Sequence, residues 1–148
     1  MSSSRIIQIS DTPLKKDDYI EESEFYESWF VGTIADYVSD LDEEESVSDW
    51  LNSDIYDVAD NTITIKDKGS YFKPRFEKFK TECAKAMAMS LDEFSNYSSD
   101  IYNLKESYDD KYEIYFYYGY ELWTQSRFLR NFKNGKKFYT GGMIQYHY

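Results

Sequence analysis

The 148 residues contain one cysteine, one histidine and two prolines, and each scarcity closes off a class of chemistry. With Cys83 alone, no internal disulfide can form, which fits a reducing compartment. His147 is the only imidazole, so histidine-based nucleophilic or acid–base catalysis rests on a single residue near a chain end, where chains tend to fray. Apolar runs are short as well. None approaches the ~18 residues of a membrane span, and an acidic surface is repelled by anionic lipid. The start, MSSSRIIQISDTP, has neither a basic nor an apolar stretch of the secretory kind, so the expected location is the cytoplasm. Phosphate-binding, dinucleotide-binding, metalloprotease and serine-hydrolase motifs are all missing, so the chain is expected to be non-enzymatic and to need no cofactor.

Basic residues are missing where they are most needed. From Asp17 to Ile65 there are sixteen carboxylates and no Lys or Arg, whereas Leu122 to Tyr148 has no acid and carries Arg127, Arg130, Lys133, Lys136 and Lys137. Residues 1–60 hold seventeen acids and three bases, a net of −14; residues 61–148 hold eleven acids and fourteen bases, a net of +3. The two poles sum to the overall charge of −11, which opposes direct binding of any nucleic acid. Aspartates at 40, 42, 54, 57 and 60 raise the question of a hard cation. A calcium loop requires glycine at its sixth position, and neither segment supplies one, so no metal is expected.

What the chain does have is aromatic mass: sixteen Tyr, ten Phe and three Trp, enough for a packed core. Its length suits a single domain, 1–148. Residues 1–16 read as an arm in which Arg5 to Ile9 forms a short edge strand before Pro13 turns the chain. From Asp17, Tyr19, Tyr26, Phe30, Ile34, Tyr37 and Leu41 fall within about 80° on a helical wheel and predict an amphipathic helix. That helix turns Asp18, Glu21, Glu24 and Asp36 outward together, and Phe25 and Trp29 fall among those acids. The run Asp42, Glu43, Glu44, Glu45 opposes the negative end of the helix dipole and ends it. Ser46 then caps a short helix carrying Val47, Trp50 and Leu51.

Thr62–Ile65 alternates as a strand and predicts a hairpin with Tyr71–Phe72. Pro74 starts a helix through Phe76, Phe79, Cys83, Ala86 and Met87. Ser90 and Glu93 form a capping box for a further helix that buries Leu91, Phe94, Tyr97, Ile101 and Leu104. Beyond Asp110 the pattern turns to strands: Tyr112–Tyr118, then Phe128–Phe132, an Asn134–Gly135 hairpin turn, Phe138–Tyr139 and Met143–Tyr146. The expected fold is therefore α+β, a helical N-terminal two-thirds packed with a C-terminal antiparallel sheet. The basic, aromatic C-terminal segment looks superficially like a single-strand-binding surface, but cross-strand pairing and charge balance account for it better.

Carboxylates at helical spacing lie ~5 to 6 Å apart, commensurate with neighbouring phosphates, and because like charges held together cost folding stability, such a surface invites a functional explanation. The candidate partner-binding residues are Asp18, Glu21, Glu24, Phe25, Trp29, Asp36, Asp42, Glu43, Glu44 and Glu45, with aromatics anchoring and carboxylates steering. In charge and size the chain is similar to small acidic proteins of phages and mobile elements that block restriction, CRISPR or DNA-repair enzymes. The resemblance implies an inhibitor, a DNA mimic or steric blocker of anti-restriction or anti-CRISPR type, whose partner is a basic nucleic-acid-binding protein or nuclease complex. The alternative is an assembly module, a homo-oligomer joined through its acidic and basic poles.

Overall fold

The computed structural model describes residues 2–96 and 99–148. The chain resolves into two compact units, residues 1–68 with 110–148, and residues 69–109.

The first unit is built on a seven-stranded mixed sheet. Its strands are β1 (Ser3–Ser10), β2 (Tyr37–Ser39), β3 (Tyr56–Ala59), β4 (Thr62–Ile65), β5 (Tyr115–Tyr118), β6 (Glu121–Thr124) and β7 (Lys137–His147). Across the sheet they run β3, β4, β7, β1, β5, β6. β7 is long enough to hold two partners in tandem on one edge, with Thr62–Thr64 opposite its first residues and Tyr37–Ser39 opposite its last. Its other edge pairs with β1 throughout, antiparallel, and β1 in turn pairs in parallel with β5.

This arrangement overturns the sequence-based expectation of a helical N-terminal two-thirds and a separate C-terminal antiparallel sheet. Four of the seven strands come from the first 65 residues, and β1 is interior rather than at an edge. Residues 17–41 form no long helix. They make 3-10 turns at Lys16–Asp18 and Glu22–Phe25, then an irregular path into β2. The buried residues explain why: Ile20, Phe25, Phe30 and Ala35 recur every fifth position. Successive members would stand about 140° apart on a helix, so no helix puts them on one face. Gly32, at φ 91°, turns the chain where a right-handed helix would continue. The absence of Lys and Arg also removes every stabilising i,i+4 ion pair from the segment.

The segment instead wraps one face of the sheet. Ile20, Phe25, Phe30, Ala35 and Val38 cover Ile6, Tyr115, Ile144 and Tyr146, and Phe30 meets both tyrosine rings edge-on at 4.9 and 5.1 Å. The opposite face is closed by α4 (Gln125–Asn131), whose Phe128 packs 4.3 Å from Phe116 and 5.2 Å from Phe138. Residues 128–132 were expected as a strand. Thr124 instead accepts a hydrogen bond from Arg127 N and starts a helix, and an alternating run this short does not distinguish the two states.

Thr62–Ile65 is a strand as expected, but its hairpin partner is β3 before it, not Tyr71–Phe72 after it. The second unit begins there, with α1 (Gly69–Met87) already running before Pro74, followed by α2 (Leu91–Ser95) and α3 (Ser99–Glu106). Phe79 of α1 meets Tyr108, two residues past the end of α3, edge-on with ring centroids 5.8 Å apart. Ser90 caps α2 by accepting from Glu93 N, as the sequence indicated. Leu91, Phe94 and Ile101, expected to be buried, are exposed, and Tyr97 lies outside the described residues. No helix among the described residues is long and apolar enough to cross a membrane.

Candidate functional site: two contiguous acidic clefts

Parallel pairing brings the C-terminal ends of β1 and β5 side by side. A cleft of about 1070 Å³ opens there, bounded by Asp11, Asp17, Asp18, Glu24, Tyr117 and Tyr120 among others. A second cleft, of about 440 Å³, adjoins it and shares Glu24, Tyr117 and Tyr120. Its remaining wall comes from Phe25, Glu27 and Trp29 on one side and Glu121, Leu122 and Arg127 on the other.

The shape of the larger cleft depends on Gln8. Between Ile7 and Ile9 the β1–β7 register slips, and β7 bulges at Gly141 and Gly142 opposite Gln8. The buried Gln8 amide uses the space. Its Oε1 accepts from Gly142 N at 2.9 Å and Ile20 N at 3.0 Å, and its Nε2 donates to Asp18 O at 2.9 Å. A methyl group at Gly141 would press on Gln8 Oε1 and lie 2.7 Å from Gln8 Cδ. Glycine is therefore required at the bulge, and one side chain ties residues 18–20 down as a cleft wall.

Tyr120 stands where the clefts meet. With Gly119 it forms the two-residue turn between β5 and β6, both at positive φ, 59° and 64°, as a type I′ hairpin demands. Gly119 suits that conformation; a tyrosine in it is strained. Its ring is 91% exposed, so no packing within the fold accounts for it.

Carboxylates dominate the electrostatics. Asp11, Asp17, Asp18, Glu24, Glu27 and Glu121 line the two clefts, against Arg127 alone among the bases. Arg127 is engaged already, 3.4 Å from Glu121 and stacked 3.8 Å over the Trp123 ring. Asp11 accepts from the Tyr118 hydroxyl at 2.6 Å and pairs with Lys136 at 3.2 Å. The hydroxyl bond, with help from Lys136, holds the Asp11 carboxyl below the ordinary aspartate range. Glu24 moves the other way, pushed up by partial burial and by the neighbouring Glu21 charge. Burial, Glu24 and Tyr120 likewise raise the Tyr117 hydroxyl. Glu24, shared by both clefts, is in no ion pair among the described residues.

The structure divides the residues singled out from the sequence. Asp18, Glu24 and Trp29 come together at the clefts, Trp29 61% exposed and edge-on to Phe30 at 5.8 Å. Glu21 is exposed and acts on Glu24. Phe25 is no surface anchor: at 2% exposure it is a core residue, edge-on to Tyr117 at 5.5 Å. Asp36, Asp42, Glu43 and Glu44 are exposed but line neither cleft. Glu45 is held inside the fold. Both its oxygens receive Arg5 Nη2 at 3.0 Å, Trp50 Nε1 donates to it at 2.6 Å, and the Arg5 guanidinium lies 3.9 Å over the Trp50 ring. Glu22, outside the candidate set, forms a brace with Asp40, each carboxylate accepting the other's backbone N–H.

Sequence reasoning missed Asp11, Asp17, Glu27, Tyr117, Tyr120 and Glu121 as site residues. A glycine between Tyr118 and Tyr120, with aromatic residues alternating on either side, was the available signal for the β5–β6 turn. His147 stacks on Tyr37 at 4.2 Å with its Nε2 3.3 Å from Ser39 Oγ, and Cys83 is half-buried. No group of three or more His, Cys, Asp or Glu among the described residues is arranged to hold a metal ion. Comparison of the chain with protein families, with curated proteins and with solved structures finds no match to any of them.

Proposed function

We propose that the protein is a non-enzymatic inhibitor that binds a basic, nucleic-acid-handling protein, and that it acts as a steric blocker. The observation that carries this reading is the convergence of six carboxylates on two contiguous clefts with Trp29 and Tyr120 displayed at them. Carboxylates steer a basic partner into encounter, and exposed aromatic rings supply short-range affinity. Of the two forms of inhibition, steric blocking is favoured over phosphate mimicry, because residues 17–41 lack the helix whose repeat would space carboxylates like phosphates.

The test is capture of nucleic-acid enzymes on immobilised protein, comparing wild type with the triple variant Asp18→Lys, Glu24→Lys, Glu27→Lys, with circular dichroism as a control on folding. Loss of a captured nuclease or polymerase on charge reversal, with an unchanged spectrum, supports the reading. Undiminished capture sinks it.

A second reading, self-assembly through opposite poles, is favoured by one local feature. Gly135 N donates to Ile65 O and Ile65 N to Lys136 O, bringing Lys66 and Lys68 next to Lys133, Lys136 and Lys137. Light scattering across a salt series separates the two, since pole-to-pole oligomers dissociate as screening shortens the field.

A further inference from the structure

Among the described residues β6 is the terminal strand of the sheet and pairs only with β5. The turn at Gly119 and Tyr120 sets Tyr118 opposite Glu121 and Tyr117 opposite Leu122. In a two-residue hairpin the first of these pairs exchanges hydrogen bonds and the second does not. The N–H and C=O of Leu122, and the N–H of Thr124, therefore point away from β5. No described residue bonds to them. Natural proteins blunt free edges of this kind with charge, proline or a covering loop. Here the edge borders an open cleft with Trp29 and Tyr120 exposed beside it.

Resting on the function proposed above, we propose that this edge and the smaller cleft receive an extended, cationic segment of the partner protein, added to the sheet as a strand beyond β6. Main-chain bonds to Leu122 and Thr124 fix the register, and alternate side chains supply specificity. The residue opposite Leu122 projects on the same face as Leu122 and Tyr117, into the cleft walled by Glu24, Glu27 and Trp29. That position selects Arg or Lys, paired with carboxylate and laid against an aromatic ring. Its neighbours project to the other face, where the Trp123 ring lies under an Arg127 that is already paired with Glu121 and reaches from there to the cleft rim; against that ring and closed ion pair an apolar side chain fits. The segment recognised thus alternates cation and apolar residue. A second copy of this chain is the wrong occupant: two such edges would bring Glu24, Glu27 and Glu121 against their own like charges.

The experiment uses a fluorescently labelled (Arg-Val)4 peptide, its (Glu-Val)4 counterpart, and (Arg-Val)4 with N-methyl groups on every valine or on every arginine. Anisotropy measures binding to the full chain, and amide NMR measures exchange at Leu122 and Thr124. The expected result is binding of the cationic peptide alone, a tenfold or greater loss with one of the two methylated forms, at least a fivefold loss for Trp29→Ala, and slowed exchange at both amides. Equal binding of both methylated forms, or binding without protection at Leu122, overturns the proposal by reducing the contact to charge alone. Failure of the peptide to bind overturns it as well, as does a dimer whose formation protects the same amides. The broader reading is judged separately: a captured nucleic-acid enzyme lost on charge reversal but indifferent to Trp29→Ala refutes strand addition and leaves inhibition standing.

Discussion

Substituting Gln8 by alanine tests how one buried side chain shapes the larger cleft. The change deprives Gly142 N, Ile20 N and Asp18 O of their partner. Asp18 is exposed, so water reaches its carbonyl, but Ile20 is buried and Gly142 half-buried. A buried donor left unpaired costs roughly 1–3 kcal/mol, so Gln8→Ala should destabilise by about 2–4 kcal/mol. Gly141→Ala forces its new methyl against the same amide, and overpacking of this kind costs about 1–3 kcal/mol. The informative quantity is the coupling. Once Gln8 is truncated the methyl has room, apart from Leu14 Cδ1 at 2.7 Å, which is the mobile end of a side chain. The double variant should therefore be less destabilised than the sum of the two singles by roughly 1 kcal/mol or more. Urea unfolding followed by tryptophan fluorescence gives all three values, and amide exchange at Ile20 reports whether the cleft wall loosens. Additivity within ~0.5 kcal/mol would refute the steric account of the bulge.

Three further outcomes follow from side chains already placed. Glu45→Gln should destabilise by about 2 kcal/mol, less than a fully buried pair loses because Glu45 is 24% exposed while Arg5 is 8% exposed, and Arg5→Lys should not substitute for the two-oxygen grip; chemical denaturation checks both. Tyr120→Asn should raise stability by about 1 kcal/mol, since asparagine tolerates positive φ, while weakening binding of (Arg-Val)4; a fall in melting temperature would contradict the strain at this turn. The Asp11 carboxyl titrates low because Tyr118 and Lys136 favour its ionised form, so its contribution to stability is present above the unfolded-state pKa and is lost as pH falls through the folded value. Tyr118→Phe should move the Asp11 titration, read by carbon NMR, upward toward the ordinary aspartate value.

Local signals in the sequence were the legible ones. Ser46 with Asp49 and Ser90 with Glu93 cap as their spacing indicates; Asn134–Gly135 is a turn, with Gly135 at φ 91°, but it joins α4 to β7 and is not the hairpin expected between two strands. Thr62–Ile65 is a strand because β-branched alternation describes a half-buried pleated surface. Residues 17–41 misled because a helical period can arise by chance among frequent tyrosines: Tyr26 and Tyr37 of the supposed buried stripe are exposed, and the fifth-residue spacing that does the burying matches no regular element. The clefts were half-legible for the same reason. Asp18, Glu24 and Trp29 were found as part of an acidic run, whereas Asp11, Tyr117, Tyr120 and Glu121 join them only through the parallel β1–β5 pairing, which no local pattern encodes.

The pairing of β1 with β7 also sets a timetable. Ser3 sits opposite His147 and Ile9 opposite Thr140, so β1 meets its longest partner across a sequence separation of 131 to 144 residues. At 5–20 residues per second, β1 leaves the ribosome roughly ten seconds before that partner exists. During that interval Ile6, Ile7 and Ile9 form an uncharged, β-prone stretch of the sort that nucleates aggregates between neighbouring nascent chains. Beyond Lys15 and Lys16 come the sixteen carboxylates between Asp17 and Ile65, with no base among them. Flanking charge of one sign is how natural sequences guard such strands. On this account, converting exposed carboxylates remote from the clefts, Asp42 to Glu44, to amides should lower the soluble yield of newly made protein while leaving the refolded protein as stable as before.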